Sequence, residues 1–117
     1  MESPQVTEKL LRGFDGCIDD NEEEILLSEY GIEYTPENIE EKLNNLYKEY
    51  QYIDEELRGV DLGAERTYHR LYFKYHNHYY SIGYYYTNGN YEYIVDEAVQ
   101  EVEPYQETVT KYRPIYE

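Results

Sequence analysis

The chain has no tryptophan, one cysteine, one methionine and two phenylalanines, and only 10 basic residues against 26 acidic ones. Each scarcity removes a class of explanation. The lone Cys17 excludes an internal disulfide and favours a reducing compartment, and no glycine elbow or oxyanion motif accompanies it. With so few cations there is no basic groove to hold phosphates, so direct nucleic-acid binding is not expected. No apolar run reaches transmembrane length, and Met1-Glu2-Ser3-Pro4 carries neither a basic region nor an apolar stretch. We therefore expect no membrane partner and a cytoplasmic location. There is also no phosphate loop and no dinucleotide fingerprint, and the expectation is a non-enzyme without a cofactor.

Two excesses remain. Tyrosine occurs 18 times, and the formal net charge is −16 over 117 residues. A core that needed only volume would use more Leu, Val and Phe, whereas tyrosine combines apolar area with a polar tip and suits half-exposed contact surfaces. So large a net charge costs stability through self-repulsion and exceeds what solubility requires. It is also segregated. Residues 1–62 hold 18 acids and 5 bases, residues 63–95 hold 2 acids and 3 bases, and residues 96–117 hold 6 acids and 2 bases.

Tyr68 to Val95 carries the clearest pattern. Leu71, Phe73 and Tyr75 alternate with Tyr68, Arg70, Tyr72 and Lys74, which is strand periodicity. A two-residue turn at His76-Asn77 sets Phe73 opposite Tyr80, Leu71 opposite Ile82 and His69 opposite Tyr84, so that one face is apolar on both strands. A second turn at Asn88-Gly89 would place Tyr84 opposite Tyr93 and Ile82 opposite Val95. The other face then carries Tyr68, Arg70, Tyr72, Lys74, Tyr79 and Tyr85. Asp96-Glu97-Ala98 reads as a turn or bulge, Val99 to Glu103 as a further strand stopped at Pro104, and Glu107 to Arg113 as a last edge strand.

Ahead of the sheet the spacing predicts helices. Val6, Leu10, Leu11 and Phe14 fit a short first one, and Asp20 or Asn21 can cap a second that Gly31 stops near Tyr30. Asp15 to Glu24 is too irregular for a calcium loop, because its glycine follows the first aspartate directly and Cys17 sits at a ligand position. Thr35-Pro36 predicts a third helix reaching Leu57 or Arg58. Its stripe of Ile39, Leu43, Leu46, Tyr50, Ile53 and Leu57 would cover the Leu71, Phe73, Ile82 and Val95 face. On that reading Asp54, Glu55 and Glu56 lie in its last turns, against the helix dipole. The expected fold class is α+β, with N-terminal helices packed on one face of a three- to four-stranded antiparallel meander. It forms a single domain over 1–117, acidic and helical over 1–58 and a tyrosine-rich sheet over 64–113.

His69, His76 and His78 do not converge in this register, so no metal site is expected. Acids three or four residues apart on a helix lie about 5 Å apart along its axis, comparable with the charge spacing of a nucleic-acid backbone. The binding surface we expect comprises Glu40, Glu41, Glu49, Asp54, Glu55 and Glu56 as an electrostatic patch, with Tyr72, Tyr79 and Tyr85 as contact anchors. Its partner would be a protein with a basic nucleic-acid-binding groove. The competing expectation is a homodimer or larger assembly that buries the outer tyrosine face against itself.

The acidic runs Asp19-Asp20-Asn21-Glu22-Glu23-Glu24 and Asp54-Glu55-Glu56, with the segment Val102-Glu103-Pro104-Tyr105-Gln106-Glu107-Thr108-Val109-Thr110-Lys111-Tyr112-Arg113-Pro114-Ile115, complete the picture. A small, acidic, tyrosine-rich, single-cysteine α+β chain of this kind resembles the accessory proteins of phages and mobile elements. Among these are anti-CRISPR and anti-restriction inhibitors, many of them nucleic-acid mimics. The resemblance implies a host defence nuclease as the target and a host-cell cytoplasmic location.

Overall fold

A computed structural model describes residues 4–89 and 92–115. Three helices, α1 (Glu8–Phe14), α2 (Asp20–Glu29) and α3 (Ile39–Glu49), precede four strands, β1 (Tyr50–Asp61), β2 (Arg66–Tyr75), β3 (His78–Thr87) and β4 (Glu92–Val102). The strands form one antiparallel sheet in the order β1-β2-β3-β4. The fold is α+β, with the helices on one face of the sheet.

Local chemistry sets the helix ends. The Thr7 hydroxyl accepts from the Leu10 N–H to start α1, and the Asp19 carboxylate accepts from Glu22 N–H to start α2. Gly31, at φ 67°, turns the chain away after α2. Thr35 and Pro36 do not open α3. They form a turn in which Asn38 Oδ1 accepts from Thr35 N–H at 2.7 Å, and the helix begins one residue later. The core joins Leu10, Leu11, Leu26, Leu27, Leu43 and Leu46 to Tyr50, Leu71, Phe73, Tyr80, Ile82, Tyr84 and Tyr93. Leucines come from the helices and mostly aromatics from the sheet.

The β2–β3 hairpin has the expected register, with Phe73 opposite Tyr80, Leu71 opposite Ile82 and His69 opposite Tyr84. His76 and Asn77 both take positive φ, 49° and 66°, as a primed two-residue turn requires.

Three expectations are corrected. The helix predicted to reach Leu57 or Arg58 ends at Glu49, and the chain runs directly into β1, so the acidic helical part stops nine residues short of 58. Ile53 and Leu57 do not cover the sheet; they are 46% and 61% exposed. The β3–β4 connection spans four residues instead of two, since Thr87 pairs with Glu92; Tyr84 therefore faces Val95 and Tyr86 faces Tyr93. A shift of two preserves the faces, which is why the apolar pattern alone did not detect it. Finally, Glu107 to Arg113 joins no strand, and the fourth strand of the sheet is β1. The irregularity expected near Asp96 is real: the β3–β4 register shifts around Gly83, and β4 then continues to Val102.

Candidate functional site

Two surfaces concentrate the polar chemistry. The first lies where the starts of α2 and α3 approach each other. Asp19 caps α2, Asp20 and Glu23 occupy its first turn, and Glu40 and Glu41 occupy the first turn of α3. Negative charge suits a helix N-terminus, so each acid is locally reasonable. Together they crowd. The Glu23 carboxyl is pushed above its ordinary range by partial burial, by its hydrogen bond to Asp20, and by the charges of Asp20, Glu40 and Asp19. Among the described residues no cation lies within ion-pair distance of Asp19, Asp20, Glu23, Glu40 or Glu41; Lys9 and Arg12 turn instead to Glu22 and Glu8.

The second surface is the sheet face that no helix covers. Arg66, Tyr68, Arg70, Tyr72 and Lys74 project from β2, and Tyr79, Ser81, Gly83 and Tyr85 from β3. Its cations are already engaged. Arg66 lies over the Tyr85 ring at 4.7 Å and Lys74 over Tyr79 at 5.6 Å, while Tyr68 packs on Tyr85. Arg70 donates to Ser81 Oγ at 2.9 Å and forms an ion pair with Glu97. That pair crosses a whole strand. Arg70, Gly83 and Glu97 stand in one row over β2, β3 and β4, and a Cβ on Gly83 would sit 2.8 Å from the Glu97 Cβ. Glycine is required there by the close approach of Glu97. Next to Arg70 on β1, Glu56 accepts from the Tyr72 hydroxyl and pairs with Arg58 at 3.6 Å.

The expected patch is thus divided. Glu40 and Glu41 belong to the α2–α3 cluster. Glu49 ends α3 and contacts His76 Nε2 at 2.8 Å. Asp54 and Glu56 are exposed on β1, pairing with Tyr72 and Arg70 of the uncovered face. Glu55 points the other way, accepting from the Tyr84 hydroxyl and standing 3.5 Å from His69 Nδ1. Alternation along a strand separates the three neighbours that a helix turn would have grouped. Tyr72, Tyr79 and Tyr85 do share one face, half-buried and open to contact. Residue-by-residue reading missed Asp19, Asp20 and Glu23 as members of the surface. The Asp19–Glu24 run was visible, but its meeting with α3 depends on tertiary packing.

Beneath the helices, tyrosines anchor carboxylates. The Tyr93 hydroxyl donates to Asp15 Oδ2 at 2.7 Å, its ring stacks on Tyr84, and Tyr84 stacks on His69. Burial first, and the adjacent carboxylate second, raise the Tyr84 and Tyr93 hydroxyls well above the ordinary tyrosine range; burial does the same for Tyr50. His76 and His78 contact Glu49 and Glu101 separately, and among the described residues no three His, Cys, Asp or Glu converge on a metal-sized site. Cys17 Sγ is exposed, donates to the Asp15 carbonyl at 3.5 Å and lies beside the Tyr93 hydroxyl. No described helix is long and apolar enough to cross a membrane.

No protein-family profile matches the chain, and neither a curated protein nor a solved structure does.

Proposed function

We propose that the protein is a non-enzymatic inhibitor that docks its acidic helical surface into the basic groove of a nucleic-acid-binding protein, with a defence nuclease of the anti-CRISPR or anti-restriction target class as the partner. One observation carries this reading. Glu23 of α2 is crowded by Asp19 and Asp20 and, across the helix pair, by Glu40, and among the described residues no cation lies within ion-pair distance of these acids, a placement that an external positive surface would relieve. Along α2, Asp20 and Glu24 lie about 6 Å apart on the axis, a spacing that suits a groove built for successive phosphates. Asp54 and Glu56 with Tyr72, Tyr79 and Tyr85 supply a second contact region on the uncovered sheet face.

The immobilised chain, presented with bacterial lysate at low and high salt, tests this. The expected result is a nucleic-acid-binding protein whose retention falls steeply with salt and is abolished by Asp20→Lys, Glu23→Lys and Glu40→Lys together. Retention unchanged by both salt and these substitutions would overturn the proposal.

A further inference from the structure

Beyond Val102 the chain leaves the sheet and runs as an irregular arm over 103–115. The arm presents Tyr105, Val109, Tyr112 and Ile115 at 81%, 67%, 93% and 93% exposure. Beside it lies an unfinished edge: among the described residues β4 pairs only with β3, leaving its outer row of backbone donors and acceptors without a strand. From the arm and this edge we infer that the protein self-associates by arm exchange, the arm of one copy adding an antiparallel strand to the outer edge of β4 in a second copy.

Three observations select a second copy as the occupant. First, length: Glu92–Val102 runs alongside the nine residues Tyr79–Thr87 of β3, about 30 Å, and the 11 residues of 103–113 are enough to cover it when extended. Second, charge: β4 carries Glu92, Asp96, Glu97 and Glu101 without a base, whereas Lys111 and Arg113 lie at the far end of the arm. In a two-fold ribbon centred between Val102 and Glu103, Lys111 and Arg113 come to the Glu92–Asp96 end of β4, beyond the register shifts between Gln100 and Val95. Third, proline: Pro104, which has no N–H to donate, falls next to the two-fold axis, and Pro114 lies just past the paired region. The other outer edge, β1, is likewise acidic and likewise interrupted by two register shifts; β4 is favoured because the arm continues directly from it, as a two-fold ribbon requires.

The test is mass against concentration by analytical ultracentrifugation at about 0.15 M salt, where exposed charges beyond about 8 Å are largely screened. The full chain is compared with two charge-reversed forms, Lys111→Glu with Arg113→Glu, and Glu92→Lys with Asp96→Lys. The parent is expected to pass from 14.2 kDa to twice that mass. Each variant should dissociate roughly tenfold or more readily. An equimolar mixture of the two should recover the dimer, because one arm–edge pair is then the natural one and the other is its charge-inverted equivalent. Amide exchange provides a second readout: residues 105–113 should be protected in the parent dimer. A parent that stays monomeric, variants that dimerise as the parent does, a mixture that fails to recover the dimer, or an unprotected arm in a dimer would each overturn the inference. An arm protected within a monomer, folded back on its own β4, would overturn it as well. The acidic α2–α3 surface takes no part in this contact, so failure here leaves the proposed function standing.

Discussion

At Gly83 the sheet dispenses with a side chain so that Arg70 of β2 and Glu97 of β4 can meet above β3. The Gly83→Ala protein must displace the Glu97 Cβ or its strand, and is expected to lose about 1–3 kcal/mol in urea unfolding; an unchanged midpoint would mean that the row is not closely packed. The tyrosines make a different prediction. Tyr50, Tyr84 and Tyr93 are held neutral in the fold, chiefly by burial, to pH values above those at which unfolded tyrosine ionises, about 10. Their folded pKa is raised, so their contribution to stability is complete below about pH 10 and is lost as pH rises toward the folded values, by up to about 1.4 kcal/mol per pH unit for each group. Urea unfolding followed from neutral to alkaline pH should show that decline, and Tyr84→Phe should reduce its slope. The same substitution removes the Tyr84 donor from Glu55, leaving His69 Nδ1 at 3.5 Å, and should cost about 1–3 kcal/mol near neutrality.

The transition from α3 to β1 shows how much of the fold was legible in the chain and why part of it was not. The β2–β3 hairpin could be read because apolar alternation on two strands and the His76-Asn77 turn agree on a single register. Ile39, Leu43, Leu46, Tyr50, Ile53 and Leu57 also agree with one another, at helical spacing, yet only the first three lie on the helix. Asp54, Glu55 and Glu56 were the contrary signal. Three acids in a last helical turn oppose the dipole, and the conflict vanishes because that stretch is strand. Tyr50, Tyr52, Ile53 and Val60 favour a strand, but β1 exists because β2 offers an edge to pair with, a tertiary fact. Of the candidate site, Tyr72, Tyr79 and Tyr85 followed from alternation, whereas the partnership of Asp20 and Glu23 with Glu40 required the packing of two helices. Substitution separates the two structures of this stretch. Ile53→Thr and Leu57→Thr should each leave stability within about 0.5 kcal/mol, while Leu43→Ala and Leu46→Ala should each cost about 2–5 kcal/mol. Comparable losses at all four positions would restore the long helix.

Across the whole molecule, charge and shape assign different tasks to different faces. The uncovered sheet face engages its own cations, Arg66, Arg70 and Lys74, with rings and a carboxylate. On the α2–α3 face, Asp19, Asp20, Glu23 and Glu40 stand together with no ion-pair partner among the described residues. If that crowding serves binding and not folding, Glu23→Gln should slightly raise the thermal midpoint at pH 7, because the folded Glu23 pKa lies above its unfolded value and stability is lost as pH rises through that window. A lowered midpoint would make Glu23 a structural acid. The most direct test of the central claim is competition: the partner captured by the acidic helical face is challenged with duplex DNA. The proposed groove mimicry predicts that DNA releases the partner in proportion to its own affinity for it. A partner that holds DNA and this protein at the same time would contradict the account.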